Sequence, residues 1–102
     1  MCENIDYDQL QAIIASDDPL LADVRDHDSY EAGHIPGAMH LSIDALAKFC
    51  EKAEPNKVTV VYCYHGVSSQ SVASYLVSRG FTSVYSLSGG YHAWVDASQG
   101  AQ

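Results

Sequence analysis

The segment Cys63-Tyr64-His65-Gly66-Val67-Ser68-Ser69 holds the residues best suited to chemistry. A β-prone apolar run, Val58-Thr59-Val60-Val61-Tyr62, precedes it, and a helical pattern begins at Ser69. Gly66 permits the backbone angles a loop needs to turn its N–H groups inward around a sulfur. The start of the following helix adds unsatisfied N–H groups and a partial positive charge. Ser68 and Ser69 add hydroxyls. Such donors favour a thiolate and a bound anion, and they lower a thiol from its usual ~8.5. A thiolate so placed is a nucleophile for covalent group transfer. The competing reading is a core cysteine, because cysteine is among the most buried residue types. Cys50, on an apolar helical face, is expected to be structural, and Cys2 is terminal. Three cysteines with no paired spacing argue against a disulfide framework.

Strands and helices alternate around this segment. Asp6 is expected to cap a first helix, with Gln9 completing a capping box and Tyr7, Leu10, Ile13 and Ile14 on one face. Pro19 ends that helix, and Leu20 to Val24 reads as a buried strand. A short helical turn from about Ser29 is stopped by Gly33. Ala38 to Leu41 reads as a short strand. Ser42 is expected to cap a helix whose inward face is Ile43, Leu46, Ala47, Cys50 and Ala53. After the Cys63 loop, Ser69 to Arg79 is a helix with Val72, Ala73, Leu76 and Val77 inward and Gly80 as its left-handed stop. Val84 to Leu87 is a further strand, Gly89-Gly90 a turn, and Tyr91 to Val95 a last short helix before a polar tail at about 96–102. This alternation predicts one α/β domain over 1–102 with a mainly parallel sheet. Ligands in such sheets bind beyond the carboxyl ends of strands, where Cys63 falls.

The 102-residue chain carries five Lys or Arg against thirteen Asp or Glu, a formal charge of −8. Such a surface repels phosphate backbones and argues against a nucleic-acid partner. No apolar run approaches the ~20 residues of a membrane span, and Met1-Cys2-Glu3-Asn4 lacks a signal-peptide layout. A cytoplasmic location without membrane attachment is expected. An anion bound here must be held by local dipoles against the overall charge.

Four blocks of the chain resemble the signature blocks of rhodanese domains. They are Asp23-Val24-Arg25-Asp26, Tyr30-Glu31-Ala32-Gly33-His34-Ile35-Pro36-Gly37-Ala38, the Cys63 loop, and Leu87-Ser88-Gly89-Gly90-Tyr91-His92-Ala93-Trp94. They occur in the same order and span most of the chain. The resemblance implies a five-stranded, mainly parallel sheet flanked by helices on both faces. It also implies ping-pong sulfur transfer from thiosulfate to cyanide or a thiol through a Cys63 persulfide. Tyr64, His65, Gly66, Val67, Ser68 and Ser69 would form the substrate loop, with no metal and no cofactor. The partners implied are a small sulfur donor and a thiol or cyanide acceptor; a sulfur-accepting protein is a further candidate. Many loops of the family carry Arg or Lys, whereas this loop offers only His65 as a cation.

Asp23 and Arg25 are expected to brace the loop as a hydrogen-bonded ion pair, with Glu31 as a further partner, rather than to bind substrate. His34, Pro36 and Gly37 read as a turn, and His27, His40 and His92 as surface or satisfied polar residues. The histidines lack metal-ligand spacing. Tyr91 and Trp94 are expected to pack the last helix on the sheet. A cysteine phosphatase would need Arg five residues beyond the residue after its cysteine; Ser69 stands there, and the next Arg is Arg79. A non-enzymatic interaction module would be marked by loss of the cysteine, which is present. A persulfide carrier that takes sulfur from a protein donor uses the same Cys63 chemistry.

Overall fold

A computed structural model describes residues 3–66 and 68–100. Met1, Cys2, Val67, Ala101 and Gln102 lie outside the described residues. The central strand is β4 (Thr59–Tyr62), in which all four residues are buried. Alternation along it sends Val60 and Tyr62 into one core and Val61 into the other. Strand β2 (Leu20–Asp23) pairs with one edge of β4 and β5 (Val84–Leu87) with the other. The outer strands are β1 (Glu3–Ile5), beside β5, and β3 (Met39–His40), beside β2. The order is β1-β5-β4-β2-β3, and every pairing is parallel.

Helices cover both faces, as a parallel sheet with two buried faces requires. On one face Ile13 of α1 (Tyr7–Asp17) and Tyr91 and Trp94 of α5 (Gly90–Gly100) pack against Ile5, Leu10, Val60, Tyr62 and Leu87. On the other, α3 (Leu46–Lys52) and α4 (Ser68–Ser78) enclose Ala22, Val61, Val72, Leu76 and Phe81. Helix α2 (His27–Ala32) follows the carboxyl end of β2 in the chain. Asp6 and Gln9 form the expected capping box.

Four local features differ from the sequence reading. Strand β1 has no apolar alternation to announce it; Glu3-Asn4-Ile5 is strand because β5 offers it an open edge. Ser42 makes no side-chain cap, a 3-10 turn occupies Ile43–Ala45 before α3, and Ile43 is 64% exposed instead of inward. Ile14 is likewise exposed, since α1 turns Leu10 and Ile13 to the sheet. Helix α5 runs through Asp96, Ala97, Ser98 and Gln99 to Gly100 instead of stopping at Val95, because no breaker intervenes and the polar residues form its outer side. Gly33 ends α2 as expected, in extended backbone (φ 166°); a Cβ there would lie 3.0 Å from the Tyr91 hydroxyl, so close approach explains the glycine.

Candidate active site

Cys63 follows the last residue of β4, and α4 begins at Ser68. Its side chain is turned under the loop, with Sγ accepting from the backbone N–H of Gly66 at 3.1 Å and of Ser69 at 3.3 Å. The Ser69 Oγ lies 3.4 Å from Sγ and 2.8 Å from the Oγ of Ser86 on β5. Ser69 and Ser86 are fully buried. Burial opposes the thiolate. The Ser69 hydroxyl and N–H, then the N–H groups of Gly66 and His65, outweigh it and hold the thiol below its ordinary value. Cys63 is only 5% exposed, yet it lines a cavity of about 330 Å³ with Val24, Arg25, Asp26, Tyr64, His65 and Ser68.

The Gly89-Gly90 turn presses on the cysteine loop. Gly90 has φ +61°, and a Cβ on it would stand 2.4 Å from the Cys63 carbonyl oxygen. This contact lets the first N–H groups of α5 bind the loop: Tyr91 N–H donates to the Cys63 carbonyl at 2.7 Å and His92 N–H to the Tyr64 carbonyl at 3.1 Å. Gly66 (φ +85°) completes the packing, since a Cβ there would meet Gly89 N at 2.8 Å. The Cys63 and Tyr64 carbonyls thus point to α5, and the Gly66 and Ser69 N–H groups to the sulfur.

Asp23 and Arg25 form a buried ion pair, Nη2 to Oδ2 2.7 Å, and Nε is within 3.1 Å of both carboxylate oxygens. Nη2 also donates to the Gly33 carbonyl at 2.6 Å. Burial works against the guanidinium, but Asp23 outweighs it and raises Arg25 above its ordinary value. The guanidinium lies 4.1 Å from the centre of the Tyr91 ring and 5.3 Å from that of Tyr64. Glu31 is exposed on α2; the partners of Arg25 are Asp23 and Gly33 instead.

Tyr64 and His65 are exposed, and the Tyr64 hydroxyl is hydrogen-bonded to that of Ser29. Both rings also line a second, larger cavity of about 510 Å³, walled by Arg25, Ser29, Gly33, Tyr91, His92 and Val95. Val67 lies outside the described residues, and so does Cys2. Cys50 is half-buried on α3, away from the cavities that Cys63 and its loop line. Ser86, Ser29 and His92 were not legible as site residues: each comes from an element distant in sequence, and an isolated serine or histidine carries no local signal.

A family model, the rhodanese-like domain, matches residues 6–97. The chain is 49% identical over 94 residues to a thiosulfate sulfurtransferase GlpE of Coxiella burnetii, covering 92% of this chain and 88% of that protein. It is 45% identical to the protein of the same name from Pseudoalteromonas translucida, covering 90% and 88%. Among solved structures, the rhodanese-like domain of an Anabaena sp. protein superposes with a TM-score of 0.84 at 29% identity, over 95% of this chain and 76% of that one.

Proposed function

The chain belongs to the rhodanese-like domain family, and from that premise we propose that it is a thiosulfate sulfurtransferase carrying its sulfur as a persulfide on Cys63. The observation that carries this reading is the convergence of the Gly66 and Ser69 N–H groups on the Cys63 sulfur. These donors stabilise a sulfur-centred anion before and after the chain is extended by one atom. The Cys63 thiolate attacks the outer sulfur of thiosulfate. A new S–S bond forms, the S–S bond of thiosulfate breaks, and sulfite departs with the bonding pair. An acceptor, cyanide or a thiolate, then attacks the outer sulfur of the persulfide, and the Cys63 thiolate leaves with its own pair. Thiocyanate or an acceptor persulfide is released. Both steps are displacements at sulfur and require no metal or organic cofactor. Among the described residues no helix is long and apolar enough to cross a membrane, which agrees with action in the cytoplasm.

Asp23 and Arg25 support the site without touching the reacting atoms, since the guanidinium is spent on Asp23, Gly33 and three tyrosine faces. A second reading, a carrier that exchanges persulfide with a protein, is favoured by one feature. The cavity of about 510 Å³ next to the Cys63 cavity is much larger than thiosulfate or cyanide requires.

Intact mass after exposure to thiosulfate and desalting tests the proposal. One added sulfur, removed by cyanide and absent in Cys63→Ser, is the expected result, with Cys50→Ser still loading. Loading that persists in Cys63→Ser overturns the assignment. Slow thiosulfate loading beside rapid persulfide uptake from a protein selects the carrier reading.

A further inference from the structure

An anionic donor approaching Cys63 faces a chain of charge −8. Arg25 is the only Lys or Arg lining either cavity among the described residues, and Asp23 already neutralises it. The site therefore has no free permanent cation. Two imidazoles stand at these cavities: His65 lines both, and His92 lines the larger one beside the Cys63 cavity. The ring of His65, from the cysteine loop, and the ring of His92, from the first turn of α5, have centroids 5.5 Å apart. The His92 Nε2 lies 3.4 Å from the Asp96 carboxylate one turn on, and both side chains are about two-thirds exposed. The two rings come from elements joined by the His92 N–H to Tyr64 carbonyl bond, so their backbones are held side by side.

We propose that His65 and His92, as imidazolium ions, form the anion-capturing mouth of the Cys63 site, drawing in small sulfur oxyanions. Imidazole is the side chain that gains charge just below neutral pH. Two imidazolium ions this close repel each other, and an anion between them removes that repulsion, so anion binding and protonation support one another. The other charged or titratable groups facing the mouth are Asp96 on α5, Asp26 and the Asp23-paired Arg25 beyond β2, Tyr64 and Cys63 on the loop, and Tyr91 on α5. Asp96 offsets part of the charge on His92. Cys63 also titrates, so the charge of the two imidazoles has to be read in a rate ratio that cancels the thiolate fraction. The inference deepens the thiosulfate reading, because it names how that site collects its donor.

The test compares alkylation of Cys63 by iodoacetate, an anion, with that by iodoacetamide, which is neutral. In both reactions the thiolate forms a C–S bond and iodide leaves, so the rate ratio cancels the thiolate fraction and reports the charge at the mouth. Peptide mass mapping follows Cys63, with Cys50 as internal reference for the charge of the whole chain. The expected result is a Cys63 ratio that rises roughly threefold to tenfold from pH 8 to 6. The rise shrinks in His65→Gln and in His92→Gln, and it falls to that of Cys50 in the double variant. A ratio that is flat with pH, or that rises equally in the double variant, overturns the inference. The assay needs no sulfur transfer. Thiosulfate loading with a flat ratio leaves the enzyme reading standing and removes this one; a pH-dependent ratio without loading does the reverse.

Discussion

The hydroxyl oxygens of Ser69 and Ser86 lie 2.8 Å apart in the fully buried space beneath the Cys63 sulfur. One comes from the start of α4 and the other from β5, so the pair ties the cysteine loop to the neighbouring strand. Ser86 donates when Ser69 turns its own hydrogen toward the thiolate and accepts when Ser69 turns it away. A serine here therefore serves both states of the sulfur.

Ser69→Ala removes a hydroxyl from the thiolate and leaves Ser86 buried without its partner. The thiolate fraction at neutral pH falls, and kcat/KM for thiosulfate drops roughly tenfold, the scale of one hydrogen bond to a charged group. Folding stability falls by about 1–3 kcal/mol. Ser86→Ala leaves Ser69 free to face the sulfur and moves the thiolate fraction less. Ultraviolet titration of the thiolate compares the two; an equal or larger effect of Ser86→Ala would contradict the geometry.

The lowered thiol of Cys63 links stability to pH. The folded state holds the proton less tightly than the unfolded chain, whose thiol titrates near ~8.5. The stabilisation is fully present above that unfolded value and is lost as the pH falls through the folded one. Wild type should therefore gain in Tm over Cys63→Ser as pH rises through this window, with no further gain above it. A Tm difference independent of pH would mean that the cradle does not favour the thiolate.

Gly90 and Gly80 separate strain from contact. Both have positive φ, +61° and +100°, but a Cβ on Gly80 meets nothing within 4 Å, whereas one on Gly90 strikes the Cys63 and Tyr64 carbonyls. Gly80→Ala should cost about 1–2 kcal/mol, the left-handed penalty alone, and retain sulfur loading. Gly90→Ala should cost more and lose most of the loading in whatever protein remains folded. Denaturant unfolding with intact mass reads both; equal behaviour would mean that the α5 turn does not shape the loop.

Much of this site was legible because local chemistry and fold position agree. A β-prone run, a cysteine, a glycine and a serine pair opening a helix specify a strand–loop–helix anion cradle without any distant contact. The limits were equally physical. Strand β1 is held by pairing with β5 and not by its own Glu3-Asn4-Ile5. The Gly89-Gly90 dipeptide announced a turn but not what it packs against. Ser86 and His92 acquire meaning only through the sheet order, which brings β5 and the start of α5 beside β4. The Arg25 guanidinium, readable as half of an ion pair with Asp23, gave no hint that the Gly33 carbonyl would take the place assigned to Glu31.

Phosphate ester hydrolysis tests the same loop against its nearest rival chemistry. A cysteine phosphatase grips its transferring group with a guanidinium at the position Ser69 occupies, through paired, charge-assisted hydrogen bonds. Ser69 instead turns inward to Sγ and Ser86 and is fully buried, so nothing at that position reaches a bound phosphoryl group. Arg25 cannot substitute, because Asp23, Gly33 and the faces of Tyr64 and Tyr91 already occupy it. Backbone N–H donors alone lack the charge that develops most of its effect in the transition state, and a surface of charge −8 repels a dianionic ester at long range. The protein should therefore hydrolyse an aryl phosphate no faster than Cys63→Ser does, under conditions where thiosulfate loads Cys63 with sulfur. Measuring both reactions on one preparation decides the matter: aryl phosphate turnover that depends on Cys63, with no sulfur loading, would replace sulfur transfer by phosphoryl transfer as the chemistry of this loop.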